Sequence, residues 1–129
     1  MSVSGYVRGS WVGLAEFARI CRRLPMVERN RRAIGLHGAV ASSRRLGAEE
    51  RARPERDRNR LRRLISVVDR CLPDGGNCVR RALLEMALDG GAAREAFLAG
   101  LQSDGGPGSG HAWLASQQTR DRYDAVISI

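Results

Sequence analysis

The chain has 129 residues, 22 basic and 14 acidic, with a formal net charge of +8. That length suits one domain, or one small domain with a helical extension, with limited surface to bury in a core. No apolar run approaches the ~20 residues needed to cross a bilayer. Met1-Ser2-Val3-Ser4-Gly5-Tyr6 lacks the basic start and apolar stretch of a signal peptide, so a cytoplasmic location is expected.

Cys21, Cys71 and Cys78 are odd in number and unpatterned in spacing, which argues against a disulfide framework. With two histidines and no Cys-x-x-Cys pair, neither a structural zinc site nor another cofactor is expected. The charge is uneven: residues 1–63 hold 16 Arg against 6 acidic residues, or +10, and residues 64–129 hold 6 Arg against 8, or −2. The basic half reads either as a solvated helical face or as a docking surface for an acidic partner.

Taken in chain order, Trp11, Leu14, Phe17, Cys21 and Leu24 recur at helical spacing and predict a buried face on a helix that stops before Pro25. A second helix is expected over residues 27–46, with Ala33, Leu36 and Val40 inward and Ile34 beside them. Residues 47–59 read as a charged connector containing Pro54. Leu61, Leu64, Ile65, Val68 and Leu72 then mark an amphipathic helix ended by Pro73.

The character of the chain changes there. Asp74-Gly75-Gly76 predicts a turn, and Asn77 an N-cap for a helix over residues 78–88 with Val79, Ala82, Leu83 and Met86 as its buried stripe. Asp89-Gly90-Gly91 ends that helix. Strands are expected over residues 95–101, 111–116 and 123–129, separated by a loop at 105–110 and a turn at 117–122. Helices followed by a short antiparallel sheet indicate an α+β fold. A basic helical region over residues 1–60 would precede the core over residues 61–129.

Cys78 falls at the first position of its helix, where unpaired N–H groups and the helix dipole favour a thiolate nucleophile; it also reads as a small core residue. His111 lies on the second strand, where it can hold the thiol proton and deliver it to a leaving amine; its alternative is a structural histidine partly buried against Trp113. Pairing the last two strands as a hairpin puts His111 and Asp124 on one face, and Tyr123 on the other with Ala125, Ile127 and Ile129. Asp124 is therefore the expected orienter of the imidazole, with Asp121 of opposite parity as the alternative. Cys21 and Cys71 fall at apolar helix positions and are expected in the core, and His37 is read as structural.

These residues resemble a family. Cys78-Val79-Arg80-Arg81-Ala82-Leu83-Leu84 is similar to the nucleophile helix of the B2-type leader peptidases of lasso-peptide biosynthesis, with Arg81 three residues after the Cys and the small-Leu step at Ala82-Leu83. Gly106-Pro107, Ser109 and Gly110-His111-Ala112-Trp113-Leu114 resemble that family's histidine strand, and residues 123–129 its closing strand. Ala115-Ser116-Gln117-Gln118 depart from the pattern, which usually places an acidic residue and a Gly turn after the His strand. The resemblance implies a transglutaminase-like, papain-like core whose nucleophile helix packs on a short antiparallel sheet. It also implies a Cys78-His111-Asp124 triad without a cofactor.

The substrate it implies is the leader region of a ribosomally made precursor peptide. The partners it implies are a separate leader-recognition protein (the B1 type) and an ATP-dependent, macrolactam-forming cyclase. Two other readings compete. One is an Arg-rich helical module binding nucleic acid or an acidic partner, although no recognised nucleic-acid motif and few aromatics for stacking on bases accompany the charge. The other is a thiol amidase or acyl transferase of the same superfamily.

Overall fold

The computed structural model describes residues 3–101, 110–117 and 123–129, with side chains from Trp11 onward. Among them, five helices precede three strands: α1 (Val3–Ala33), α2 (Gly35–Ala48), α3 (Glu55–Arg70), α4 (Cys78–Leu88), α5 (Gly90–Ala93), β1 (Phe97–Leu101), β2 (His111–Leu114) and β3 (Ala125–Ser128). The fold is α+β. No described helix is long and apolar enough to cross a membrane.

Helix α4 is central. Every side chain from Ala82 to Leu88 is buried, because α1, α2, α3, α5 and β2 surround it. The expected stripe covered one side only; Leu84, Ala87 and Leu88 supply the rest, as in a helix enclosed on all sides. Full burial of each of these leucines contributes about 1.5–3 kcal/mol. One core joins Ile20, Val40, Leu61, Leu83, Phe97 and Leu114. It draws on residues from both sides of position 60, which lies within α3.

The N-terminal helices differ from their expected form. Helix α1 continues through Pro25 to Ala33, and the break comes at Gly35, which has φ +74°. Proline lacks the N–H that would bond the Cys21 carbonyl, but Cys21 and Pro25 are both exposed, so water can serve that acceptor. The buried side of α1 carries Glu16, Ile20 and Val27, with Leu24 half-buried, whereas Trp11 is 68% exposed and Leu14 60%. Arg53, in the connector after α2, ion-pairs with Glu16 and donates to the Leu88 carbonyl at 3.1 Å. A polar pair thus holds α1 to the end of α4 on a side that apolar spacing did not mark. Of the residues expected inward on a second helix, Val40 of α2 is buried and Leu36 half-buried, but Ala33, which ends α1, is exposed, as is Ile34 between the two helices.

The sheet has the order β2-β1-β3, with both pairings antiparallel. The expected hairpin between the last two strands does not form, because β1 lies between them. His111 pairs with Gly100, and Gly100 with Val126 on its other side. Residues 115–117 carry no Asn-Gly or Gly-Gly signal that would fold β2 onto β3, and the chain returns instead to the second edge of β1. Phe97, Ala99, Ala112 and Leu114 form the face against the helices; His111, Trp113, Leu98 and Gly100 form the other.

The two apolar stripes of α1 make a direct comparison. Ile20→Ala is expected to lower stability by about 2–4 kcal/mol in a denaturant titration. Trp11→Ser should change it by less than about 0.5 kcal/mol, as an exposed substitution does.

Candidate active site

The start of α4 is held by two neighbouring groups. Asn77 caps the helix, its side-chain oxygen accepting the Arg80 N–H at 3.0 Å, a contact typically worth about 1 kcal/mol. Asp69, fully buried near the end of α3, accepts the Gly76 N–H at 2.8 Å and the Asn77 N–H at 3.4 Å. The same carboxylate receives Arg80 Nη1 at 2.6 Å. Arg80 is only 1% exposed, and its guanidinium also binds Glu28 of α1 at 2.6 Å and Asp74 of the turn.

The electrostatics follow from this crowding. Burial works to raise the Glu28 carboxyl, but hydrogen bonds from Arg31 and Arg80 outweigh it and hold it below its usual 4.5. A hydrogen bond from Arg80 holds Asp74 below its usual 3.8. Burial would lower Arg80, yet its bonds to Glu28, Asp74 and Asp69 raise it further above the ordinary arginine range.

Cys78 is the first residue of α4 and is half-buried. Its Sγ accepts the Ala112 N–H at 3.3 Å. The Ala115 N–H bonds the Ala96 carbonyl, which sets the phase of the β1–β2 ladder. The N–H groups of His111 and Trp113 therefore point into the sheet, and those of Ala112 and Leu114 point off its free edge. Leu114 N–H is taken by the Gln117 side chain at 3.1 Å. The thiol accordingly stands beside the open edge of β2, next to His111. Cys78 and His111 line one cavity of about 330 Å³, together with Arg62, Arg81, Glu85 and Trp113.

An aromatic shelf positions the imidazole. His111 stacks on Trp113 with centroids 5.7 Å apart and rings 15° from parallel, and on Tyr123 at 6.4 Å and 18°. Trp113 and Tyr123 stack on each other at 5.2 Å, and such pairs add about 0.5–1.5 kcal/mol beyond area burial. Tyr123 can lie there because residue 100 is glycine: a Cβ at that position would come within 2.5 Å of the ring. Tyr123 was expected on the face away from Asp124 and His111, but it precedes β3, so strand alternation does not govern it. Gly100, an isolated glycine in a strand pattern, was the available signal for a close approach.

Asp124 also lies ahead of β3, in a bend, with its side chain exposed and its N–H donating to the Leu101 carbonyl at 3.0 Å. The parity comparison with Asp121 therefore does not apply to it. Asp121, the turn at 118–122 and the Gly106-Pro107 and Ser109 positions lie outside the described residues. Among the described residues that line the cavity, the acid is Glu85, 2% exposed and bound by Arg58 at 2.8 Å and by Arg62. Arg62 also reaches Ser116 Oγ at 3.1 Å. Both oxygens of Glu85 are occupied by guanidinium groups, which suits it to fixing Arg62 in the wall. Its sequence signal was a lone acid on the apolar run 82–88, opposite arginines spaced i, i+4 on the preceding helix.

Cys21 and Cys71, expected in the core, are exposed, as is His37. Cys71 caps the C-terminus of α3, two residues beyond its last buried residue, Asp69. Among the described residues, no group of three His, Cys, Asp or Glu is placed to hold a metal ion.

The arrangement can support acyl transfer. The thiol and the imidazole line one cavity, and the Cys78 and Val79 N–H groups, in the first turn of α4, have no intrahelical acceptor. A carbonyl attacked at Sγ would leave its developing oxyanion near the Cys78 N–H. No protein-family model, curated protein or solved structure matches the chain.

Arg80→Met should cost about 3–5 kcal/mol in a denaturant titration, because it strands the buried Asp69 carboxylate. The folded-state values of Glu28 and Asp74 lie below their ordinary values, so their contribution is complete above about pH 4.5 and is lost as pH falls through the depressed values. Stability measured against pH should fall on that acid side in the wild type, and less steeply in Arg80→Met. Gly100→Ala, which pushes Tyr123 off the shelf, should lower stability by about 1–3 kcal/mol and change the near-UV circular dichroism of the stack.

Proposed function

We propose that the chain is a cysteine peptidase that removes the leader from a ribosomally synthesised lasso-peptide precursor, acting on a transglutaminase-like core. The observation that supports the proposal is the 3.3 Å contact between Cys78 Sγ and the N–H of Ala112, the residue after His111, in a cavity that both Cys78 and His111 line. The family-like runs around Cys78 and His111 supply the substrate class.

In this reading, Cys78 Sγ attacks the scissile carbonyl carbon while His111 takes the thiol proton. His111 returns that proton to the departing amine as the C–N bond breaks, leaving the leader as a thioester on Cys78. Water, deprotonated by His111, then attacks the thioester; the C–S bond breaks and the thiol is restored. Asp124 would orient the imidazole. A B1-type recognition protein would present the leader, and the released core would pass to the ATP-dependent cyclase.

Incubation with the precursor encoded beside this gene and the recognition protein, read by mass spectrometry, tests the proposal. Cys78→Ala and His111→Ala should each slow cleavage by at least about 10³-fold, since the two act as a unit. Undiminished cleavage by Cys78→Ala would remove the nucleophile assignment. Asp124→Asn should slow cleavage more than Asp121→Asn; the reverse order would move the orienting role to Asp121.

A further inference from the structure

A second cavity, of about 410 Å³, lies along α3 and is lined by Arg62, Arg63, Ser66, Val67 and Arg70. All of these belong to α3, so it is a shallow surface groove, and through Arg62 and Ser66 it adjoins the cavity that Cys78 and His111 line. Residues 62, 66 and 70 follow one another at i, i+4 spacing and span about 12 Å of helix. That is the length of about four residues of extended peptide at ~3.3 Å each.

Some of the arginines near this groove are matched to acids and some are not. Arg58, Arg62 and Arg80 are committed to buried or half-buried carboxylates. Arg63 and Arg70 are exposed and have no carboxylate partner among the described residues; Arg70 Nε donates only to the Ser66 carbonyl of its own helix, at 3.3 Å. Where the groove meets the thiol cavity, Arg81 is 39% exposed and lies 3.8 Å from Asp69, a carboxylate already held by Arg80. Val67, 47% exposed, supplies an apolar surface among these cations.

We infer that this groove binds an acidic segment of the peptide substrate in extended form, leading the scissile bond to Cys78. The inference rests on the peptidase reading and adds to it a substrate preference, set by Arg63, Arg70 and Arg81 and independent of any recognition protein. The groove favours peptide over nucleic acid because it opens into the thiol cavity, spans only about four residues, and has no aromatic side chain along α3 on which a base could stack.

The test uses the full chain carrying Cys78→Ala and two labelled peptides, one rich in Asp and its counterpart with Asn at each Asp. Fluorescence anisotropy at low salt should show roughly tenfold weaker binding of the Asn peptide. Adding Arg63→Glu and Arg70→Glu should weaken the Asp peptide by a similar factor. Adding Arg22→Glu and Arg45→Glu, an equal charge change at exposed sites elsewhere, should leave it unaltered. Equal affinity for the two peptides, or equal weakening by both charge reversals, would overturn the inference. So would tighter binding of a generic duplex that depends on Arg63 and Arg70, since the groove would then belong to nucleic acid. Cleavage that still requires Cys78, with KM for the precursor unmoved by Arg63→Glu and Arg70→Glu, would overturn the docking and leave the peptidase standing. Discrimination between the peptides without Cys78-dependent cleavage would overturn the peptidase and support an acidic-peptide groove.

Discussion

A single guanidinium, that of Arg80, joins four parts of the molecule. Glu28 brings α1 to it, Asp69 brings α3, Asp74 brings the turn before α4, and Arg80 itself is in the first turn of α4. Asp69 extends the connection to the backbone by accepting the N–H groups of Gly76 and Asn77. The position of Cys78 is therefore set from both sides: by a helix enclosed in the core and by a turn tied to a buried ion cluster. Desolvating these charges costs several kcal/mol per ion, and well-packed apolar side chains could replace the cluster at little loss of stability. What they could not replace is direction. A buried carboxylate with specific donors fixes where the chain turns, and so which residue meets the edge of β2.

A second cluster works alongside the first. Glu85 and Arg62 link α4 to α3 in the wall of the thiol cavity, and Arg58 connects Glu85 to Asp89 and to Glu95, just before β1. Burial works to raise the Glu95 carboxyl, but bonds from Ser116 and Arg58 hold it below its usual value. Several arginines in the basic half are thus internal fasteners, each matched to an acid. The remaining cations are distributed over the surface, and along α3 they gather in the groove that opens at Cys78. The net charge of +8 consequently says less about partners than the placement of the arginines that no acid matches.

Local signals read well where one residue decides the structure. Asn77 before Cys78 marks a capped helix, and Asp69 and Arg80 secure a start that the cap had already placed. His111-Ala112-Trp113-Leu114 is a strand because alternation and aromatic content suit a pleated surface. Local signals failed where a choice depended on what was available to pack against. Helix α1 carries two stripes that a core could bury, and the one containing Glu16 is covered because Arg53 lies there to meet it. The pairing of β2 and β3 was inferred from adjacency in sequence, yet β1, with Phe97 in the core, offered a free edge on each side.

The sequence by itself determined that the chain is α+β, where α4 begins, and that Cys78 heads that helix while His111 lies on a later strand. Caps, turns and periodicity are properties of a few neighbouring residues, and no distant contact is needed to express them. Only the tertiary structure decided that the thiol meets the edge of β2, that Tyr123 rather than a strand neighbour stacks on the imidazole, and that Glu85 is the acid lining the cavity. Those outcomes depend on which helix covers which face and on a sheet order that places β1 in the middle. They arise from close packing between segments tens of residues apart, where volume and charge matching select among arrangements that local patterns leave equally open.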